Sequence, residues 1–383
     1  MCDILKHTTM KTGDKAMKKI HRTLSLFTVA AMCTALLCSC GEVPDSSRTD
    51  SSSKAATTTT ADTTADTTTT GGASSTASAT SAPDSSVSDS SSAVTDDTKT
   101  NGITPAMWKV TSPEGNTMVM LGSFHALKDE CYPLPEAVTN AYNNADILAV
   151  ECDITSTSED GEYMKNLMKQ MLYNDNTKLS QHISEEAYSA LQTYLGYWGM
   201  DISALEVYRP WAVSSTLDTL LIQDSDFDTE KGLDNFLLTT AHADGKEIYE
   251  VESVDFQMNL LINFSDDIYD LMFRSFEGET KESQKQALDD LYTAWKSGDI
   301  ETFLEEDNDE ELAGYTEEDK KIAEDYNNQM LYDRNKNMAK AAEDLMSQGK
   351  NVFYVVGAAH YAGEGGIIDL LEKDGYTAER VQY

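Results

Sequence analysis

The sequence predicts an α/β or α+β domain with a central mixed sheet, flanking helices and a large helical insertion. Three observations predict it. Short apolar runs that read as strands, Thr117–Leu121, Ile147–Val150 and Asn351–Val356, are separated by long stretches of helical spacing. Two of these runs lead into the same text, Gly-x-x-His. The middle third is acidic and helical and supplies few strand signals of its own.

In chain order, Trp108–Val110 and Thr117–Leu121 form two strands joined by the turn Pro113-Glu114-Gly115-Asn116. Pro133 and Pro135 precede a helix through Ala145. Ile147–Val150 then runs as a buried strand into Glu151. Ser184 is placed to cap a helix whose first turn carries Glu185 and Glu186, acids that suit a helix N-terminus. Ala187, Leu191, Leu195 and Trp198 recur along one face of it. A further helix follows Pro210, and Lys246–Val251 reads as a strand after the Asp244-Gly245 turn. Thr316 with Asp319 forms a capping box for a long helix to about Ser347, ended by Gly349. After Asn351–Val356 come a helix at Ile367–Lys373, stopped at Gly375, and a closing strand over Thr377–Gln382. No repeat of fixed period runs through the chain.

The first hundred residues have another character. From Met17, which reads as the natural initiator, Lys18, Lys19 and Arg22 precede the apolar run Leu24–Leu37. That run is too short for a comfortable membrane span and right for a signal-peptide core. It ends in Leu37-Cys38-Ser39-Cys40-Gly41, which resembles the bacterial lipobox. Residues 1–39 are therefore expected to be a signal peptide, and Cys40 the lipidated first residue of the mature chain. Residues 40–102 hold that cysteine and a Ser/Thr-rich tether without an aromatic residue. With so little to bury, the tether is expected to be a disordered spacer. Residues 103–383 are the folded domain. The expected location is the cell membrane, on the extracytoplasmic face, with the lipid as anchor.

The net charge of the 383-residue chain is −37, which speaks against nucleic acid as a partner. Six cysteines are present. Cys2, Cys33 and Cys38 go with the leader and Cys40 takes the lipid. Cys131 and Cys152 remain, as a disulfide that export permits or as two buried thiols.

The chemistry points to His125 and His360, the histidines of the two Gly-x-x-His turns. Glycine lets the backbone turn at a strand end, and a histidine three residues on can face the crevice where open α/β sheets bind ligands. Imidazole serves there as metal ligand or general base. Of the other four histidines, His7 and His21 lie in the leader, and His182 and His242 in polar contexts. Glu151 and Glu252 each follow a predicted strand, as site carboxylates or as solvated charges at a strand mouth. Two histidines with one or two carboxylates suit a divalent ion such as Mn, Co or Zn with a position open to water. The ion would lower the pKa of that water and a carboxylate would take its proton. Arg334, in the long acidic helix, either holds a substrate carboxylate or oxyanion or pairs at the surface with acids such as Asp333. Gly363, Gly365 and Gly366 form an anion-binding turn or simply a flexible one. There is no Gly-x-Ser-x-Gly elbow, His-Glu-x-x-His or Cys-x-x-Cys, which disfavours an elbow-type serine hydrolase and the familiar zinc sites.

Two blocks carry a resemblance. The first is MLGSFHALKDECYPLPEAVTNAYNNADILAVECDI; the second is DRNKNMAKAAEDLMSQGKNVFYVVGAAHYAGEGGIIDLLEKDGYTAERV. Between them, Arg209-Pro210-Trp211, Gly232-Leu233-Asp234 and Glu252 with Gln257 fall in matching order. Over 103–383 the chain resembles the TraB/GumN family, which is related to the Tiki proteases. The resemblance implies an α/β core with helical insertions and an active site of His125, Glu151 and His360, with Arg334 and Glu252 beside it. It also implies metal-dependent peptidase chemistry outside the cell. The expected function is thus an extracytoplasmic lipoprotein whose divalent-metal-dependent peptidase or hydrolase domain acts on peptides or proteins at the cell surface. In it His125, His360 and Glu151 hold the metal, and Arg334 holds the substrate. The alternative is a non-catalytic surface module that sequesters a peptide or other ligand in the same cleft.

Overall fold

A computed structural model describes residues 102–157, 161–304 and 315–383. Cys40, the leader and the tether lie outside the described residues. In chain order the elements are β1 (Met107–Thr111), β2 (Thr117–Ser123), α1 (Glu136–Asn144), β3 (Ile147–Val150), α2 (Ile154–Thr157), α3 (Gly161–Gln170), α4 (Glu185–Tyr197), α5 (Pro210–Gln223) and α6 (Leu233–Asp244). Then follow β4 (Glu247–Glu250), α7 (Val254–Ile262), α8 (Asp266–Arg274), α9 (Lys281–Ser297), α10 (Glu317–Asn327), a π-helical turn (Asn328–Tyr332), α11 (Asp333–Met346), β5 (Val352–Gly357), α12 (Ile367–Lys373) and β6 (Thr377–Arg380).

The strands form one mixed sheet in the order β4-β3-β5-β2-β1-β6. β4, β3, β5 and β2 pair in parallel, and β1 pairs antiparallel with both β2 and β6. The central runs ILAV of β3 and VFYVV of β5 are wholly buried, as strands covered on both faces must be. The edge strands β4 and β6 carry mostly exposed or half-buried charged and polar residues, which blunts both edges. One apolar core surrounds the sheet. A second is built mainly by the inserted helices, around Leu191, Tyr194, Trp211, Met258, Phe273 and Tyr326. The fold class read from the sequence, a mixed sheet with flanking helices and a large helical insertion, is the one observed.

Local signals act where expected. Ser184 Oγ accepts from Ala187 N, and Thr316 and Asp319 bond reciprocally as a capping box. Three details differ. The helix expected to run unbroken to Ser347 is divided by the π turn at Asn328–Tyr332. β6 ends at Arg380, two residues early. Gly122 lies inside β2, and a Cβ there would stand 3.0 Å from Ala358 Cα and Cβ. Close packing against the residue after β5, more than a turn, requires that glycine. Cys131 and Cys152 are both free and buried, so the thiol alternative holds.

Because β2, β3, β4 and β5 are parallel, the residues that follow them emerge on one side of the sheet. Those residues are His125, Glu151, Glu252 and His360. Carboxyl ends of parallel strands are where open α/β sheets place ligands.

Candidate functional site

Each histidine is set by a short local device. After β2 the chain carries His125 beneath the loop that enters α6. Gly232 packs so closely there that a Cβ would lie 2.1 Å from the His125 carbonyl oxygen, and Leu233 N donates to Phe124 O at 3.1 Å. This contact brings Asp234, in the first turn of α6, to His125, and Nδ1 donates to Asp234 Oδ2 at 2.8 Å. His360 sits on a single 3-10 turn, Ala358–Tyr361, directly after β5. Its Nδ1 lies 2.6 Å from Asn335 Oδ1, while Asn335 Nδ2 donates to Gly365 O at 2.9 Å. The second bond fixes the amide, so Oδ1 must accept and His360 Nδ1 must carry the hydrogen. Both rings are thereby anchored through Nδ1 and turn Nε2 elsewhere.

Glu151 lies between them. Its Oε1 accepts from Gly357 N at 2.7 Å and stands 3.7 Å from His360 Nε2. Its Oε2 accepts from Arg334 Nη2 at 2.7 Å and from Gln257 Nε2 at 2.9 Å. Gln257 Nε2 also donates to Glu252 Oε2 at 2.7 Å, and Cys152 Sγ donates to Gln257 Oε1 at 3.2 Å, which settles the orientation of that amide. A Cβ on Gly357 would stand 3.0 Å from Glu151 Oε1, 3.5 Å from His360 Cδ2 and 3.7 Å from His125 Nε2. The missing side chain of Gly357 thus leaves a hollow bordered by all three groups.

Arg334 is buried beneath them. Its Nε and Nη2 bond Glu252, Nη2 also bonds Glu151, and Nη1 donates to Met330 O in the π turn. Of the two alternatives read from sequence, the surface pair with Asp333 is overturned, because that aspartate pairs with Lys336. All three guanidinium nitrogens are engaged with this chain's own acceptors, so Arg334 positions the acids. The glycine-rich turn has no free anion nest either: Gly363 N donates to Glu301 and Gly365 N to Asp369.

The electrostatics separate the two histidines. Burial opposes a charge on His125, but the Asp234 carboxylate outweighs it, and the pKa rises to about 9. His360 is pushed down to about 3 by burial, with the Arg334 charge adding to it. Burial alone would raise Glu151; the Arg334 guanidinium, then the histidines, hold its carboxyl well below the usual range. The side chain of His125 keeps 30% exposure while that of His360 keeps 6%, so His125 is the more open of the two to solvent.

Among the described residues no group of three or more His, Cys, Asp or Glu side chains is arranged to hold a metal ion. The donor chemistry nevertheless fits a divalent ion. Two imidazoles border one hollow, and each is backed through Nδ1 by an oxygen, the arrangement that orients metal-ligating histidine. What keeps the set open is Glu151, whose oxygens are both bonded to other groups of the chain.

Sequence reading found His125, Glu151, Glu252, Arg334 and His360, and the structure brings all five together. It gave no role to Asp234, Gln257 or Asn335. Asp234 and Gln257 lie in short matching motifs and Asn335 in the second matching block, but their partners are set only by the tertiary fold.

The sequence pattern of the TraB/PrgY/gumN family matches residues 106–380. A metalloprotease TIKI homolog of Nematostella vectensis is 26% identical over 293 residues, covering 65% of this chain and 61% of that protein. The YbaP protein of Escherichia coli K12, itself uncharacterized, is 26% identical over 157 residues, covering 41% of this chain and 56% of its own length. Metalloprotease TIKI2 of Danio rerio is 24% identical over 164 residues, covering 38% and 32% respectively. The chain therefore spans about three fifths or less of these relatives. No solved structure matches it.

Proposed function

The chain belongs to the TraB/PrgY/gumN family, and on that premise we propose that its domain is a divalent-metal-dependent peptidase or related hydrolase acting on peptides or proteins outside the cytoplasm. The observation that carries this reading is the pair of imidazoles, His125 and His360, each anchored through Nδ1 and both bordering the hollow at Gly357. The names of the Tiki relatives support the peptidase class.

In this reading His125 and His360 would hold the ion, and Glu151 would complete the set or accept a proton from water. A bound divalent ion would supply Lewis acidity and a water of lowered pKa. The chain's own work is positional. Asp234 and Asn335 fix the rings, while Gln257, Gly357 N and Arg334 fix the Glu151 carboxylate and keep it ionised. Glu252 balances the Arg334 charge. The exposed side of His125 is where a peptide carbonyl would enter. Attachment to the membrane through Cys40 would hold this chemistry at the cell surface.

One observation favours a second reading, a non-catalytic module that binds a peptide in the same cleft: both oxygens of Glu151 are already bonded within the chain. Metal analysis of the full-length chain separates the two. After reloading with Mn, Co or Zn, the wild type should hold near-stoichiometric metal, and His125→Ala and His360→Ala should lose it while remaining folded. Chelator-sensitive depletion of peptides from a mixed library should follow. A wild type that takes up none of the three ions overturns the hydrolase and leaves the binding module.

A further inference from the structure

Between the end of α3 and the start of α5 lies a cavity of about 400 Å³ that shares no residue with the cluster at His125, Glu151 and His360. Its size falls in the range of small-molecule sites. One wall is fixed by a chain of bonds: His182 Nδ1 lies 2.8 Å from Asp266 Oδ2, His182 Nε2 lies 2.8 Å from Thr177 Oγ1, and Thr177 Oγ1 donates to Asp175 at 2.6 Å. The Tyr173 ring stacks on His182 at 4.3 Å and 16°.

Two polar groups on this cavity have bonding capacity to spare: the half-buried Arg209 guanidinium and the buried Tyr173 hydroxyl. Arg209, of the Arg-Pro-Trp motif, is anchored by its backbone to Met171 O at 2.8 Å, and Trp211 Nε1 donates to Gln170 O. Among the described residues its guanidinium makes a single hydrogen bond, Nη2 to Ile262 O at 3.2 Å. Nε and Nη1 are thus available at a fixed place. The Tyr173 hydroxyl is buried with no hydrogen-bond partner among the described residues.

We infer that this cavity binds a zwitterion, a free α-amino acid or short peptide with an apolar side chain. A planar guanidinium with spare N–H groups matches a carboxylate. The Asp175 and Asp266 carboxylates, which also line the cavity, attract an ammonium group, while Lys169 on the same lining adds a second cation for the carboxylate end. Leu172, 40% exposed, and the Tyr173 ring offer the apolar contact. The inference does not rest on the peptidase reading.

Calorimetric titration of the full-length chain in detergent tests it, with L-leucine, trileucine, N-acetyl-L-leucine, L-leucinamide and inorganic phosphate as probes. Leucine or trileucine should bind at least about tenfold more tightly than leucinamide, N-acetyl-leucine or phosphate. The stronger of the first two tells a free amino acid from a peptide. Arg209→Gln, with its circular dichroism unchanged, should weaken binding by a similar factor. If that variant fails to fold, the comparison of leucine with leucinamide on the wild type decides alone. Equal binding of leucinamide, stronger binding of phosphate, or no heat from any probe at millimolar concentration overturns the inference.

Discussion

Arg334 on α11 donates from Nη2 to Glu151 at the end of β3 over 2.7 Å, joining residues 183 positions apart. The same nitrogen bonds Glu252 at 2.8 Å, and the backbone N–H of Glu252 donates to Glu151 O at 2.7 Å. Adjacent parallel strands thus deliver two acids side by side, and a single buried cation holds them there.

Removing that cation should be costly. Arg334→Met would leave two neighbouring buried carboxylates without their counter-charge, and breaking a buried pair from one side costs about 3–5 kcal/mol. Urea unfolding at neutral pH measures it, and Arg334→Lys should lose less. A loss below about 1 kcal/mol for the methionine variant would show that the acids do not depend on Arg334.

The limits of sequence reading are visible in the same residues. Glu151, Glu252, His125 and His360 were legible because each follows a strand whose apolar run announces it, and the parallel sheet then gathers strand ends on one side. Arg334 was found, but its burial was not legible: in an acidic helix its neighbours in sequence are charged, and only the tertiary fold sets it under β3 and β4. The π turn before it, whose Met330 carbonyl accepts from Nη1, carries no local signal. Asp234 reaches His125 only because Gly232 lets two backbones touch. That is a contact between residues distant in sequence, and no periodicity records it.

Asp234 should tune whatever His125 binds. Asp234→Asn keeps a group able to accept from Nδ1 but removes the charge that raises the basicity of the ring. Loss of such a partner weakens metal binding by about 10–100-fold, to be read by titrating the chelator-stripped protein with Zn or Mn. An affinity within about twofold of wild type would remove Asp234 from the site.

The metal-free protein should be most stable between acid and alkali, with the two limbs set by different histidines. His125 has a folded pKa of about 9, above its ordinary 6.5. The stability it contributes is therefore complete below about pH 6.5 and is lost as pH rises through about 9. His360, at about 3, binds its proton later than in the unfolded chain, so stability falls as pH drops from about 6.5 toward 3. Glu151, also held low, adds to that acid limb. Urea midpoints against pH with chelator present measure both limbs. Asp234→Asn should flatten the alkaline limb and leave the acid one; an unchanged alkaline limb would refute the assignment to His125.

Gly357 allows the site to be tested without disturbing the fold. Its φ of −51° and ψ of 136° are open to any residue, so Gly357→Ala incurs no backbone strain. Its Cβ would instead occupy the hollow, 3.0 Å from Glu151 Oε1 and 3.7 Å from His125 Nε2. Thermal unfolding should move by no more than a few degrees, about what 1 kcal/mol produces in a domain of this size, while metal uptake falls at least about tenfold. Gly298→Ala is the control. At φ 75° its Cβ would press on Thr104 O and Arg380 Nη2 at 2.6 Å, so stability should fall by about 1 kcal/mol or more with metal uptake intact. If Gly357→Ala binds metal as the wild type does, the ion does not lie between His125, Glu151 and His360, whatever the two imidazoles suggest.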